Sequence, residues 1–220
     1  MSMDKRYQLA IRLNPHISLE LDKMINDNMP YEHILYAMIH YHQRYDINND
    51  DLIVCRMVSI LYQNDFVLSK EYLLKLHKLL YVDDISYFPG KLRNRDISLR
   101  SYYLNDKRVF FSSYLYISDY LDYDFDEEIN RISKEKVDNI AALSNFMVKL
   151  FNIHPFVKGN ICCIIVFLLK YLDANYVKYD INYLISNFDS FYKGLVIACD
   201  NETGFSDDRM IMDFMEGFIG

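Results

Sequence analysis

A proline and a glycine punctuate the most apolar part of this chain, and together they fix what the segments on either side can become. The stretch Ile153-His154-Pro155-Phe156-Val157-Lys158-Gly159-Asn160 separates two runs of apolar residues with helical spacing. Pro155 disfavours helical backbone at His154, so the first helix ends there, and Gly159 and Asn160 open the next. The first N–H groups of a helix lack an acceptor within it and favour an anion. The stretch therefore reads as a candidate general base, His154, beside an anion site at Gly159 and Asn160. The competing reading is a helix–loop–helix corner in which the histidine only fills space, and on this stretch alone it is the simpler account.

Composition sets the frame around that corner. Hydrophobic residues make up 51% of the 220 positions, with 20 Tyr and 14 Phe against 6 Gly and 4 Pro, which fits a helical globule and not a disordered chain or a multi-strand sandwich. Such a length suits N-terminal helices (residues 1–66) packed on a core (residues 67–220) as a single compact domain. A net charge of −7 gives no global attraction to nucleic acid or to anionic lipid, so neither is expected as a partner. The longest apolar run, residues 161–169, is too short to span a bilayer. The first residues lead into no apolar signal region, so the protein is expected to be soluble and cytoplasmic, or delivered into a host cell. Cys55, Cys162, Cys163 and Cys199 lack metal-ligand spacing and read as reduced core residues. Positive charge gathers locally at Lys91, Arg93, Arg95, Arg100, Lys107 and Arg108.

Periodicity places the other elements. Weak helical spacing covers residues 17–26, and a clearer helix covers 31–45, where His33, His40 and His42 find no carboxylate or cysteine to complete a metal set. Asn49 and Asp50 cap a nearly all-apolar helix over 51–63. Ser69, with Glu71, opens another that runs to Leu80. After Pro89-Gly90, the near-alternating Ile97, Leu99, Tyr103, Val109 and Phe111 predict one β-hairpin over 95–111, turning at Asn105-Asp106-Lys107. A short helix over 114–122 and an acidic linker over 122–128 follow. Ser133 is expected to cap a long helix ending at the His154 corner, and residues 160–172 read as a helix buried at the centre of a bundle. Asp180 caps a helix from Ile181 to Phe188 or beyond, and Ser206-Asp207-Asp208 cap a last one that stops at Glu216-Gly217.

Three features then fall in one order: Leu76-His77-Lys78-Leu79-Leu80, Pro89-Gly90-Lys91-Leu92-Arg93 with the hairpin, and His154 to Asn160 between two helices. Over roughly residues 68–185 this order resembles the Fic family, helical proteins that transfer AMP or another phosphate-containing group from a nucleotide to a hydroxyl side chain. The resemblance implies an all-α Fic-type helical bundle with one β-hairpin flap. It also implies His154 as the general base, Phe156 as the anchor of the loop, and Gly159 and Asn160 as holders of the nucleotide phosphates. The hairpin corresponds to the flap that docks a protein target by strand pairing, with Asp96, Ile97 and Ser98 as its contact edge.

The departures from the family signature H-P-F-x-[DE]-G-N-G-[RK]-x-x-[RK] are as informative. Lys158 stands at the acidic position that holds magnesium, and a cation cannot ligate a metal, so Mg2+ is not expected. Ile161 replaces a glycine, while Cys162 and Ile165 replace the two basic residues that clamp the terminal phosphates. Loss of such charge costs orders of magnitude in rate unless Lys158, as a nucleotide-binding cation, compensates. Met212 to Gly217 echoes the inhibitory pattern [ST]-x-x-x-E-[GN] through Glu216, without its hydroxyl and without its arginine partner. Two function classes follow: a phosphate-group transferase, such as a nucleotidyl (AMP) transferase using ATP or another nucleotide, or a catalytically impaired pseudoenzyme that binds a protein or nucleotide. The resemblance leaves room for a homo-oligomer.

Overall fold

Helices dominate the residues that the computed structural model describes, 49–200 and 207–220. The chain divides into two units, Met1–Phe66 and Val67–Gly220. Within the first, the described element is helix α1 (Asn49–Leu61), whose Met57, Val58, Ile60 and Leu61 are buried. Asn49 and Asp50, expected as caps, lie in its first turn. The helices expected over 17–26 and 31–45, with His33, His40 and His42, fall outside the described residues.

The second unit holds α2 (Lys70–Leu80), α3 (Ile117–Ile132), α4 (Ile140–Ile153), α5 (Asn160–Ala174), α6 (Ile181–Ser186), α7 (Phe188–Ala198) and α8 (Arg209–Ile219). Strands β1 (Ser98–Arg100) and β2 (Arg108–Phe110) form an antiparallel hairpin in the register Ser98↔Phe110, Leu99↔Val109, Arg100↔Arg108. The fold is thus helical with one two-stranded sheet among the described residues. Helix α5 sets its layout. From Cys163 to Leu172 every residue is buried, and a helix apolar on all sides must be surrounded. Helices α2 and α4 pack on it, α3 covers α2 and α4, and α7 and α8 pack on each other and on α4. Phe125, Phe146, Phe167 and Tyr171 interlock edge to face between α3, α4 and α5. Among the described residues, no helix is long and apolar enough to cross a membrane.

The caps show why the helices start where they do. Ser69 Oγ accepts from the Tyr72 N–H at 3.1 Å, and Asp180 Oδ1 from the Asn182 N–H at 2.9 Å, both as the sequence predicts. Three expectations need correction. The acidic run 122–128 is no linker, because α3 passes straight through it. Glu128 is buried and satisfied by the Arg131 guanidinium at 2.6 Å and the Tyr171 hydroxyl at 2.6 Å. Ser133 accordingly ends α3, and Asn139 caps α4 by accepting from the Ala142 N–H at 3.2 Å. The last helix continues through Gly217 to Ile219, and the ring of Tyr183 occupies the place of a Cβ at Gly217.

Helices α7 and α8 approach closely at Gly194, where a Cβ would lie 3.0 Å from the Ile211 backbone nitrogen. A backbone cannot step aside as a side chain can. Gly194→Leu is therefore expected to lower the unfolding free energy by about 1–3 kcal/mol, measured by urea denaturation.

Candidate active site

The three sequence features meet on one imidazole. His77, in the fourth-to-last position of α2, is fully buried, and its Nδ1 accepts from the Gly90 N–H at 3.0 Å. Nε2 must then carry the proton, and it donates to the Lys158 carbonyl at 3.0 Å. The ring also stacks on Phe156 at 3.7 Å, with only 9° between the planes. Phe156 is 1% exposed, a core anchor in fact as in expectation.

The loop between α4 and α5 is closed on itself. The Asn160 side chain accepts from the Phe156 N–H and donates to the Phe156 carbonyl, both at 2.9 Å, so its amide is spent within the loop. What Asn160 offers a ligand is its backbone N–H. Gly159 adopts φ 76°, and a Cβ there would lie 2.4 Å from the Tyr81 ring, so glycine is required both by conformation and by space. No side chain caps α5, which leaves the first N–H groups of the helix, those of Asn160 and Ile161, without an intrahelical acceptor. A helix start of this kind, with its partial positive charge, suits a phosphate.

His154 ends α4 in the left-handed region at φ 47°, ψ 61°. Its ring lies flat on Phe111 at 3.8 Å and against the edge of Phe151 at 5.5 Å. Nδ1 is 3.3 Å from the Phe151 carbonyl, which can only accept, so Nδ1 is protonated and the lone pair sits on Nε2. Burial lowers the His154 pKa to about 4, against the opposing pull of the Phe151 carbonyl and with a further push down from the Arg93 charge. The imidazole is therefore neutral at physiological pH.

Arg93 is the residue that sequence reasoning placed on a basic hairpin loop without a role. It is 3% exposed. Its Nε donates to the His154 carbonyl at 2.9 Å, Nη1 to the Arg95 carbonyl at 2.8 Å, and Nη2 to the carbonyls of Ile153 (3.2 Å) and Ser112. The proline-glycine-x-x-arginine spacing was the available signal, but nothing in it says that two of the acceptors lie 60 and 61 residues on.

Lys158 points away from its own loop. Its ammonium stands 5.2 Å from the centre of the Tyr87 ring, which stacks on Tyr81, and 3.5 Å from Ser86 Oγ. Cys162 is half-buried and Ile165 buried, so the first two turns of α5 present no cation. Lys158 supplies an ammonium where the family signature carries the carboxylate that holds magnesium, so at that position the loop offers such an ion no ligand.

On the hairpin, Asp96 is exposed and accepts from the Tyr114 N–H at 2.8 Å, Ile97 is half-buried, and Ser98 opens β1. The far edge of β1 has no strand beside it among the described residues. Val109 and Phe111 point inward, as the alternation predicts. The connection is longer than expected, with a 3-10 turn at Tyr102–Leu104 before Asn105 and Asp106 in left-handed conformation. Its tip rests on α7, where the hydroxyls of Tyr102 and Tyr103 donate to Asp189. Glu216 is exposed on α8, which packs on α4, α6 and α7, and no hydrogen bond or ion pair of its carboxylate reaches the His154 loop among the described residues.

Comparison with known proteins decides the family. The Fic/DOC family profile matches residues 67–172, a span that holds His77, Arg93, the hairpin and the His154 loop. Those residues belong to the Fic/DOC family. Solved structures share the fold of this Fic domain at low identity. The N-terminal Fic domain of a Bartonella effector protein from Bartonella sp. AR 15-3 is 15% identical with a TM-score of 0.60, over 77% of this chain and 81% of that one. BepC from Bartonella tribocorum, solved with bound AMPPNP, is 13% identical with a TM-score of 0.61, over 77% of this chain and 83% of that one. A Fic domain containing signalling protein from Bacteroides thetaiotaomicron is 13% identical with a TM-score of 0.60, over 96% of this chain and 87% of that one. No curated protein matches the sequence.

Two histidines of the Fic domain, the buried His77 and the half-buried His154, give it a pH signature. Burial lowers the His77 pKa to about 4, as it does for His154, whereas an unfolded histidine titrates near 6.5. As pH falls below 6.5 the unfolded chain takes up protons that the folded one refuses until about 4, so stability is full above that window and is lost through it. The expected slope is about 1 kcal/mol per pH unit for each imidazole. His77→Gln, which keeps a donor and an acceptor but cannot titrate, should reduce it by about half in urea melts at pH 4–7, leaving the part due to His154.

Proposed function

We propose that the chain is an atypical Fic transferase that moves a phosphate-containing group, such as a nucleotidyl group, from a nucleotide donor to a Ser, Thr or Tyr hydroxyl of a protein target. The observation that carries this reading is the setting of His154, whose Nδ1 faces the Phe151 carbonyl at 3.3 Å so that Nε2 is the nitrogen left to accept a proton, and whose ring burial favours the neutral form. A general base has to be neutral to act. Nε2 takes the proton of the target hydroxyl as its oxygen bonds to phosphorus, and the bond from phosphorus to the leaving phosphate breaks. Fixed N–H groups at the start of α5 meet the phosphate oxygens, stabilisation that needs no reorganisation in the transition state. The target lies along the free edge at Asp96, Ile97 and Ser98, held mainly by main-chain pairing. A nucleotide donor is supported by the fold shared with BepC, which binds AMPPNP.

The donor is held differently from the family pattern. With no carboxylate at Lys158 and no cation at Cys162 or Ile165, grip on a metal-bound triphosphate gives way to grip on the transferred phosphate. Its charge is met by the helix start and by Lys158, once the ammonium leaves Tyr87. A second reading, a binding module with little transfer activity, draws support from the same apolar first turns of α5.

Labelled ATP, ADP and CDP-linked donors, offered with lysate proteins and without magnesium, distinguish the two. Labelling that disappears in His154→Ala and falls at least about tenfold in Lys158→Ala is expected. No labelling from any donor, with nucleotide or protein still bound in calorimetry, would establish the binding module instead.

A further inference from the structure

We infer that Arg93 is a positioning residue that joins the hairpin flap and the base into one mechanical unit, so that the edge of the flap and the His154 imidazole keep a fixed relation. Its service to transfer rests on the reading of His154 as the base, but the coupling itself is a property of the fold.

The argument begins with where the donors go. A guanidinium has five N–H groups in a rigid fork. Those of Arg93 end on carbonyls from two separate segments: Arg95 and Ser112 at the base of the hairpin, and Ile153 and His154 at the end of α4. The Arg93 backbone N–H adds a bond to the Pro155 carbonyl at 2.9 Å, and the Ser112 N–H donates to Asn152 at 3.0 Å. An arginine that only balanced charge would pair with a carboxylate. The nearest carboxylate, Asp96, is 3.7 Å away and exposed, and it has a backbone partner of its own in Tyr114. The fork instead caps the last carbonyls of α4, which have no partner within the helix. It does so at the residue that adopts the left-handed conformation, which L side chains disfavour. The hydrogen bond to the His154 carbonyl fixes that peptide plane, and with it the direction of the ring between Phe111 and Phe151. Phe111 follows β2 directly, so the hairpin supplies both the floor under the imidazole and, through Arg93, the tie that holds its backbone.

A lysine keeps the charge and loses the fork. In Arg93→Lys the His154 imidazole, followed by NMR, is expected to titrate about one pH unit or more higher as its burial is relieved, and to lose the Nδ1-protonated tautomer. Amide exchange at Ser112 and His154 should rise together, about tenfold or more. Asp96→Asn, which leaves the carbonyl bonds in place, should change neither. An Arg93→Lys protein with unchanged His154 titration and exchange overturns the inference, as does an Asp96→Asn protein shifted equally far. Should Arg93→Lys not fold, exchange in the unaltered chain decides. The amides of Arg93, Ser112 and His154 open with one common free energy if the inference holds, and at rates more than about tenfold apart if it does not. None of these readouts needs a donor, a target or turnover, so a failed transfer assay leaves them standing.

Discussion

The site depends on a histidine that never reaches solvent. His77 receives a proton donor from Gly90 on one nitrogen and supplies one to Lys158 from the other, and only the neutral ring in one tautomer can do both. Protonation would set two donors against each other in the core. The conformation of the His154 loop is thereby set from α2, before any ligand arrives. Phe156 lies flat on the same ring, and the Asn160 amide closes the loop around the Phe156 backbone. Preorganisation of this kind is what allows a helix start to act on a developing charge without first being ordered.

Against that rigid frame, the electrostatics of the site are spare. The backbone at the start of α5 offers partial charges, and Lys158 is the cation of the loop, resting on an aromatic pair outside it. A carboxylate would have recruited a divalent ion, and basic residues at Cys162 and Ile165 would have bound the terminal phosphates. Here the histidine proposed as the base is in place, while Lys158, Cys162 and Ile165 stand where the family signature carries an acid and two cations. Chemistry at such a site is weighted towards positioning, which is where Arg93 and the hairpin enter.

Much of this was legible in the sequence, for reasons that are local. The unbroken apolar run of α5 announced its burial, Ser69 and Asp180 announced their helices, and Pro155 with Gly159 announced the loop. Two misreadings share one physical cause, a polar side chain satisfied by a distant partner. The acidic stretch of α3 looked like a linker because nothing near it says that Glu128 meets Tyr171, 43 positions away. Arg93 looked like solvated charge because three of its four acceptors, Ser112, Ile153 and His154, sit beyond the hairpin and at the end of α4. Asn160 is satisfied locally instead, its amide held by the Phe156 backbone four positions back. Short-range rules locate such residues but not what satisfies them.

The burial of Ile165 limits how the site could be altered. This side chain is 6% exposed and packed in the core of α5, whereas Cys162, one turn earlier, is half-buried. A basic residue placed at Cys162 would still reach water. At Ile165 it would arrive as an unpaired buried charge, at a cost of several kcal/mol, comparable to much of the stability of a domain. The two positions are therefore unequal: a cation can be installed at the first by one substitution, and at the second only against the packing of the core.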